Sequence, residues 1–537
     1  MQNIDLLSYK ALNLPKLIEK IQISSELGKK FFRKYPPLKS GENEKAKIEF
    51  EKVSIFMQLL KVKKGLYDNL KLYLKHLEDI SVSIIKSKEN VLELFEIQEI
   101  KSFVYFYQKI KAEIYPHISN YISMEDFTNL FEYLDKDKQN SPAFYINNSY
   151  SEKLKYLRNS IADLSREKKY LFTFQLNKAK KLLKSQRIEE TLIISRYDKT
   201  NLDEIINSNL FYRESENFTN VTFKLKKTDK IIEIEKKLNK LLEKVIIEEE
   251  NCRKEISEFI GTFSDKLIIS EKTIGEIDFV LAKAYFGNKY KCIIPEISEN
   301  NEIKAKGAIN LPIFEEMENS KIKYQTIDLD FDKKLNIITG ANMAGKTSAL
   351  KTIGQLHYLT SYSIPIPAKS AKIPLVDFIF FSSAFSNSRR MDLSSFGMEI
   401  VAINNILNKN GRGLYLIDEF ARGTNPEEGE VFSQAILTNL GEKSGFTFSA
   451  THFSAPLKIQ SAGHFRIAGI SQSINESLHL FANKSLDERL RILHQFMNYN
   501  LEKVENDSIP PRAALIIAEI LGIDKKIINQ AKDFLVT

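Results

Sequence analysis

Gly340-Ala341-Asn342-Met343-Ala344-Gly345-Lys346-Thr347 reads as a complete phosphate-binding loop. It follows a mostly apolar run, Leu335 to Ile338, and precedes a segment of helical character, Ser348 to Tyr358. A strand that feeds a glycine-containing turn and then a helix aims several backbone N–H groups at one point. The positive end of the helix dipole faces the same point. In that setting Lys346 reaches the terminal phosphates of a nucleoside triphosphate, and the Thr347 hydroxyl binds Mg2+. The expected ligands are ATP and Mg2+, cradled by residues 340 to 348, Ser348 included.

Three downstream segments extend this reading. Leu414-Tyr415-Leu416-Ile417-Asp418-Glu419 is an apolar run ending in two carboxylates. Asp418 suits Mg2+, through water, and Glu419 suits the polarisation or deprotonation of an attacking water. Ala450-Thr451-His452 closes the next strand-like run, and His452 either senses the γ-phosphate or caps a backbone group at the strand end. Leu393-Ser394-Ser395-Phe396-Gly397-Met398-Glu399 opens a helical pattern through Leu407. Ser394 and Ser395 sit where an N-cap belongs, with Met398 or Glu399 one turn later. That helix N-terminus either caps itself or faces the γ-phosphate held by a second subunit.

The chain of 537 residues is too long for one core, and two to four domains are expected. Its first half reads as helices. Asp5 to Ile23 and Glu44 to Leu60 carry apolar residues at helical spacing on either side of Tyr35-Pro36-Pro37. Glu190 to Leu225 holds short β-like runs, Leu192-Ile193-Ile194 and Asn220-Val221-Thr222-Phe223, and reads as a β-rich insert. A polar helix is predicted over Lys230 to Phe259. From Ile303 onward, strand-like runs (Leu335–Ile338, Phe378–Phe381, Leu414–Ile417, Thr447–Ala450) alternate with helices, which predicts an α/β domain with a mainly parallel sheet. A helical segment, Pro511 to Val536, closes the chain.

The expected domains are a helical core over 1–150, and lever helices over 151–262 with the insert near 190–225. Core helices return over 263–302, the α/β domain spans 303–500, and a dimerising segment spans 501–537. Cys252 and Cys292 each stand alone, without the spacing of a metal site or disulfide framework. No apolar run is long enough for a bilayer and no secretory signal is evident, so the expected location is cytoplasmic with no membrane partner. The net charge of +8 fits a nucleic-acid partner but also follows from a lysine-rich composition.

These elements, in this order, resemble the MutS family of ABC-type ATPases. The resemblance rests on Thr339 to Thr347, where the family usually has Pro at Ala341 and Gly at Ala344. It continues at Ser394-Ser395-Phe396, at Asp418 to Thr424, and at Ala450-Thr451-His452-Phe453. Arg512 to Gly522 looks like the family's dimerising helices. Upstream, Glu276 to Ala282 and Ser25-Glu26-Leu27-Gly28 are similar to segments of its helical core.

The resemblance implies a fold: a helical core with long levers, a small β-rich clamp insert, and a C-terminal ABC-type P-loop ATPase domain. It implies catalytic roles for Lys346, Glu419 and His452. It also implies pairing with a second MutS-like subunit, itself or a paralogue, through the ATPase domain. ATP would close that interface and move the levers.

The chain departs from the family in starting directly at the core and in ending soon after the dimerising helices. Gly307-Ala308-Ile309-Asn310-Leu311-Pro312 also stands where Arg-His-Pro is usual. Two clients follow. One is a protein, since a short MutS-like ATPase of this kind resembles the reactivating factor of a cobalamin-dependent lysine aminomutase. The other is the DNA backbone, gripped by the insert and by Lys224, Lys226 and Lys227 in a repair or recombination role. The protein client ranks first, because the mismatch-reading part is absent from the pattern.

Overall fold

Apolar residues at helical spacing, with few glycines or prolines to interrupt them, make most of the first 290 residues helical. The computed structural model describes residues 3–182, 188–341, 344–383, 395–422, 424–471, 474, 477–481, 484–504 and 514–536. The chain divides into two units. One holds Met1–His76, Ile110–Met124 and Lys272–Thr537, and the other holds Leu77–Lys109 and Glu125–Glu271.

In the second unit two long helices, Glu152–Leu182 and Asp229–Gly261, pack along each other. The sequence between them carries a three-stranded antiparallel sheet: β1 (Thr191–Ser195), β2 (Phe211–Glu216) and β3 (Asn220–Leu225), in the order β1-β3-β2. The two β-like runs are β1 and β3. The pattern does not announce β2, because five of its six residues are exposed and no apolar alternation marks it. The helix Lys199–Asn207 is equally unannounced. Phe211, Val221, Phe223 and Leu225 close a small core with Ala179, Ile188 and Ile205.

In the first unit, the single helix expected over Asp5 to Ile23 is two short ones, Leu6–Ala11 and Leu14–Ile18. The break falls at Asn13, which adopts a left-handed φ of 57° that asparagine tolerates. Pro15, which has no N–H to lose, then opens the second helix. Both helices pack on the α/β region. Gln355 Nε2 donates to the Leu12 carbonyl at 2.9 Å, the Phe381 N–H donates to Ser8 Oγ at 3.0 Å, and Ile4 bridges Ile379 in parallel.

Two segments that are 250 residues apart form one device. The Asp278 carboxylate accepts hydrogen bonds from the Ser24 N–H at 3.0 Å, the Ser25 N–H at 2.7 Å and the Ser25 hydroxyl at 2.6 Å. Ser25 Oγ in turn caps the helix Glu26–Lys34 by accepting from the Gly28 N–H at 3.0 Å. A side chain at Gly28 would meet Asp278, since its Cβ would lie 2.3 Å from Oδ2. That contact accounts for the glycine in Ser25-Glu26-Leu27-Gly28 and the aspartate in the helix Ser264–Lys289.

Among the described residues ten further strands build the α/β region: β4 (Glu296–Ile297), β5 (Ile303–Ala308), β6 (Ile327–Phe331), β7 (Leu335–Thr339), β8 (Ser370–Ile373), β9 (Phe378–Phe381), β10 (Gly413–Asp418), β11 (Gly445–Ala450), β12 (Gly463–Ile470) and β13 (Met497–Lys503). Six form a sheet of order β13-β12-β7-β11-β10-β9, parallel except for the edge strand β13. A smaller sheet has the order β4-β8-β5-β6. The four strand-like runs are β7, β9, β10 and β11. The closing segment is two helices, Ala514–Leu521 and Lys525–Val536, separated at Gly522; residues 511–513 lie outside the described residues. Among the described residues no helix is long and apolar enough to cross a membrane.

Asp278→Ala should lower stability by about 2–5 kcal/mol, because it strands the half-buried Ser24 donor and the buried Ser25 donors. Urea unfolding measures this, and a midpoint unchanged from that of the unmodified chain would rule out the capping role.

Candidate functional site

All five residues of β7 are buried, Asn336 included, as in a strand covered on both faces. The parallel register then sets where the strands stop. Ile338 of β7 and Asp418 of β10 both pair with Ala450 of β11. The Thr451 N–H donates to the Ile338 carbonyl at 3.1 Å, and the Glu419 N–H donates to the Ala450 carbonyl at 2.9 Å. The carboxyl ends of three buried strands therefore fall in line, where ligands bind in open parallel sheets.

The loop after β7 leads into the helix Lys346–Ser361. Gly345 opens this helix at φ 98°, in the left-handed region. A Cβ there would also lie 2.9 Å from the Tyr499 ring. Ala344 is fully buried, and its N–H donates to the Ala341 carbonyl at 3.1 Å. Asn342 and Met343 lie outside the described residues.

The sequence-predicted residues largely meet. Thr347 Oγ1 donates to Asp418 Oδ2 at 2.8 Å, so the start of the helix and the end of β10 are joined by one bond. Buried Lys346 donates to the Gly340 carbonyl at 2.7 Å and lies 3.7 Å from Glu419 Oε1. Arg422 pairs with Glu419 Oε2 at 2.8 Å. The backbone after β10 turns sharply, with Glu419 at φ 45° and Ala421 at φ 65°. Left-handed backbone at two residues that carry a Cβ is strained, and such strain gathers at functional sites.

Burial sets the electrostatics. It lowers the Lys346 pKa, an effect that the Glu419 and Asp418 charges oppose. It raises the Asp418 pKa; the Thr347 bond opposes this and the Glu419 charge adds to it. Among the described residues Asp418 Oδ1 is buried without a hydrogen-bond partner. A cation or its bound water beside Asp418 and Thr347 would satisfy that oxygen, so the donor set fits Mg2+.

His452 is exposed with its ring against Phe453 at 4.5 Å, and among the described residues it makes no hydrogen bond to Lys346, Thr347, Asp418 or Glu419. Ser394 and the Ser395 side chain lie outside the described residues, although the helix Ser395–Leu407 begins there. Asn425 accepts from the Glu427 N–H at 2.9 Å and caps the helix Pro426–Glu442, as its Pro-Glu-Glu opening predicts.

Sequence reasoning missed several groups. Ser382 Oγ accepts the Asp418 N–H at 2.9 Å. Glu399, read as a cap, is buried, and its pKa is pushed up to about 7 by burial first and then by the Asp418 charge. A cavity of about 180 Å3 opens beside Gly345 and Ser348, lined by Ile313, Met317, Tyr324 and Tyr499. Tyr499 and His494, both in its lining, share a hydrogen bond at 2.9 Å. Tyr324 and Tyr499 are 175 positions apart, and no spacing in a chain of 22 tyrosines links them.

The insert's lysines are engaged. Lys224 pairs with Glu214 at 3.0 Å and Lys227 with Glu235 at 2.7 Å, while Lys226 donates to Asn209 Oδ1.

Residues 336–537 match the family model described as MutS domain V, so this part of the chain carries a MutS-family domain. The chain is 29% identical over 288 residues to the Endonuclease MutS2 of Lactiplantibacillus plantarum, which covers 53% of this chain and 33% of that protein. It is 23% identical over 554 residues to the DNA mismatch repair protein MutS of Aquifex pyrophilus, covering 98% of this chain and 60% of that protein. The Endonuclease MutS2 of Alkaliphilus oremlandii is 30% identical over 226 residues, 42% of this chain and 28% of that protein. The chain thus spans a third or less of these MutS2 relatives and three fifths of the MutS protein.

Gly345→Ala should cost about 1–3 kcal/mol from backbone strain plus the collision with Tyr499. Adding Tyr499→Ala should recover the collision but not the strain, giving a coupling of about 1 kcal/mol in a double-mutant cycle of thermal denaturation. Strict additivity would mean that the two residues do not touch.

Proposed function

We propose that the chain is a MutS-like ATPase that binds and hydrolyses ATP with Mg2+, and that its site is completed by a second MutS-like subunit, identical or paralogous. The observation that carries this reading is the Thr347–Asp418 bond at 2.8 Å, with a buried Asp418 oxygen that has no partner among the described residues, next to Lys346 and Glu419. That arrangement suits a phosphate–Mg2+ site, where a bound cation would satisfy the carboxylate oxygen.

In this reading residues 340 to 348 wrap the phosphates with backbone N–H groups at a helix N-terminus. Lys346 exchanges its bond to the Gly340 carbonyl for the β- and γ-phosphate oxygens, which also releases Glu419. The apolar cavity between Tyr324 and Tyr499 takes the adenine. Thr347 and Asp418 hold Mg2+, which when bound neutralises charge on the phosphates. A water oxygen attacks the γ-phosphorus as Glu419 accepts the water's proton, and the bridging P–O bond breaks with its electron pair leaving on ADP. His452, Ser394 and Ser395 serve the γ-phosphate, the two serines in the partner's site.

DNA ranks ahead of an aminomutase as the client. The relatives that support this bear the names DNA mismatch repair protein MutS and Endonuclease MutS2, and none of the three compared bears the name of a reactivating factor. A protein client is the second reading. It is favoured by the ion-paired lysines of the insert and by Tyr197 and Phe218, which are 83% and 95% exposed.

Glu419→Gln should lower turnover by about 100-fold or more while ATP still binds. Lys346→Ala should instead lose nucleotide affinity in calorimetry. Turnover of Glu419→Gln equal to that of the unmodified chain would remove Glu419 as the base. For the client, duplex and branched DNA titrated at rising salt should show affinity falling log-linearly with salt. Absence of binding at low salt would leave the protein client as the reading.

A further inference from the structure

Glu399 is a buried carboxyl that the hydrolytic scheme does not use. It lies on the helix Ser395–Leu407, one turn past the start, and its Oε2 accepts the Ala421 N–H at 3.4 Å. Ala421 ends the left-handed turn that begins at Glu419. The other side of Ala421 is closed by Gly429, where a Cβ would come within 2.9 Å of the Ala421 carbonyl oxygen. Between the two left-handed residues, Phe420 is buried, with its ring centroid 6.5 Å from Phe396 and 5.7 Å from Phe432. Phe396 is on the same helix as Glu399. That helix therefore grips the turn twice, once by a hydrogen bond and once by ring packing.

We infer that Glu399 is a positioning residue: by accepting the Ala421 N–H it holds the strained turn that presents Glu419, and so ties this chain's general base to the helix that starts at Ser395. This rests on the ATPase reading of the site. A strained turn persists only when its surroundings over-determine it. Without the acceptor, the Ala421 N–H loses its partner, the turn relaxes, and Glu419 drifts from the attacking water. A shift at the N-terminus of the helix is likewise transmitted to Glu419 through Glu399 and Phe396. Binding of ATP phosphates, which depends on residues 340 to 348, is untouched.

The test compares steady-state ATP hydrolysis by the full chain with those of Glu399→Leu and Glu399→Gln, each checked for folding by urea unfolding. Leucine removes the acceptor, so kcat should fall by about ten- to a hundredfold with KM little changed. Glutamine keeps an acceptor oxygen, so kcat should stay within about threefold of the unmodified chain. A folded Glu399→Leu protein with unaltered kcat overturns the inference and leaves the ATPase reading standing. So does a rise in KM that accounts for the whole loss. If Glu399→Leu does not fold, Glu399→Gln decides: a loss of kcat as deep as that of Glu419→Gln means that Glu399 acts by its charge, and positioning is wrong. An unmodified chain that turns over no ATP overturns both readings.

Discussion

Burial of three parallel strands on both faces is the constraint on which the site depends. β7, β10 and β11 have no polar face to turn to solvent, so their backbone groups must pair with one another in register. That register brings Gly340, Asp418 and Thr451 to one edge of the sheet. The Thr347–Asp418 bond follows from it. A slip of one residue would turn Asp418 into the core and leave the loop without its carboxylate.

The same burial makes the site's charges strong. Lys346 and Asp418 both sit where their charged forms are disfavoured, and each is moderated by the other's neighbourhood. Lys346 bonds to a loop carbonyl, and Glu419 is shared between Lys346 and Arg422. The strained turn from Glu419 to Ala421 belongs to the same economy: its conformation is maintained by Glu399, Gly429 and the rings around Phe420.

Much of this was legible in the chain. The phosphate loop, the Asp418-Glu419 pair and the four parallel strands carry local patterns, since each has an apolar run of strand length followed by a turn or a charge. The Pro-Glu-Glu helix start at Pro426 is local too. Elements without a local pattern were missed. β2 is exposed along five of its six residues and offers no alternation. The break at Asn13 lies inside a continuous apolar spacing, where a single left-handed residue overrides the period. The bond between Glu399 and the Ala421 N–H spans 22 positions, and no local pattern marks it.

The sequence by itself determined which polar and charged side chains stand at the ends of the strand-like runs, and which half of the chain was helical. Those follow from side-chain type and from periodicity over a few residues. Only the tertiary structure decided which of these groups meet. The cavity between Tyr324 and Tyr499, the clasp of Asp278 on Ser24 and Ser25, and the pairing of Lys224 with Glu214 and of Lys227 with Glu235 all join residues separated in the chain. Such contacts are set by packing and register, and neither has a signature in the order of residues.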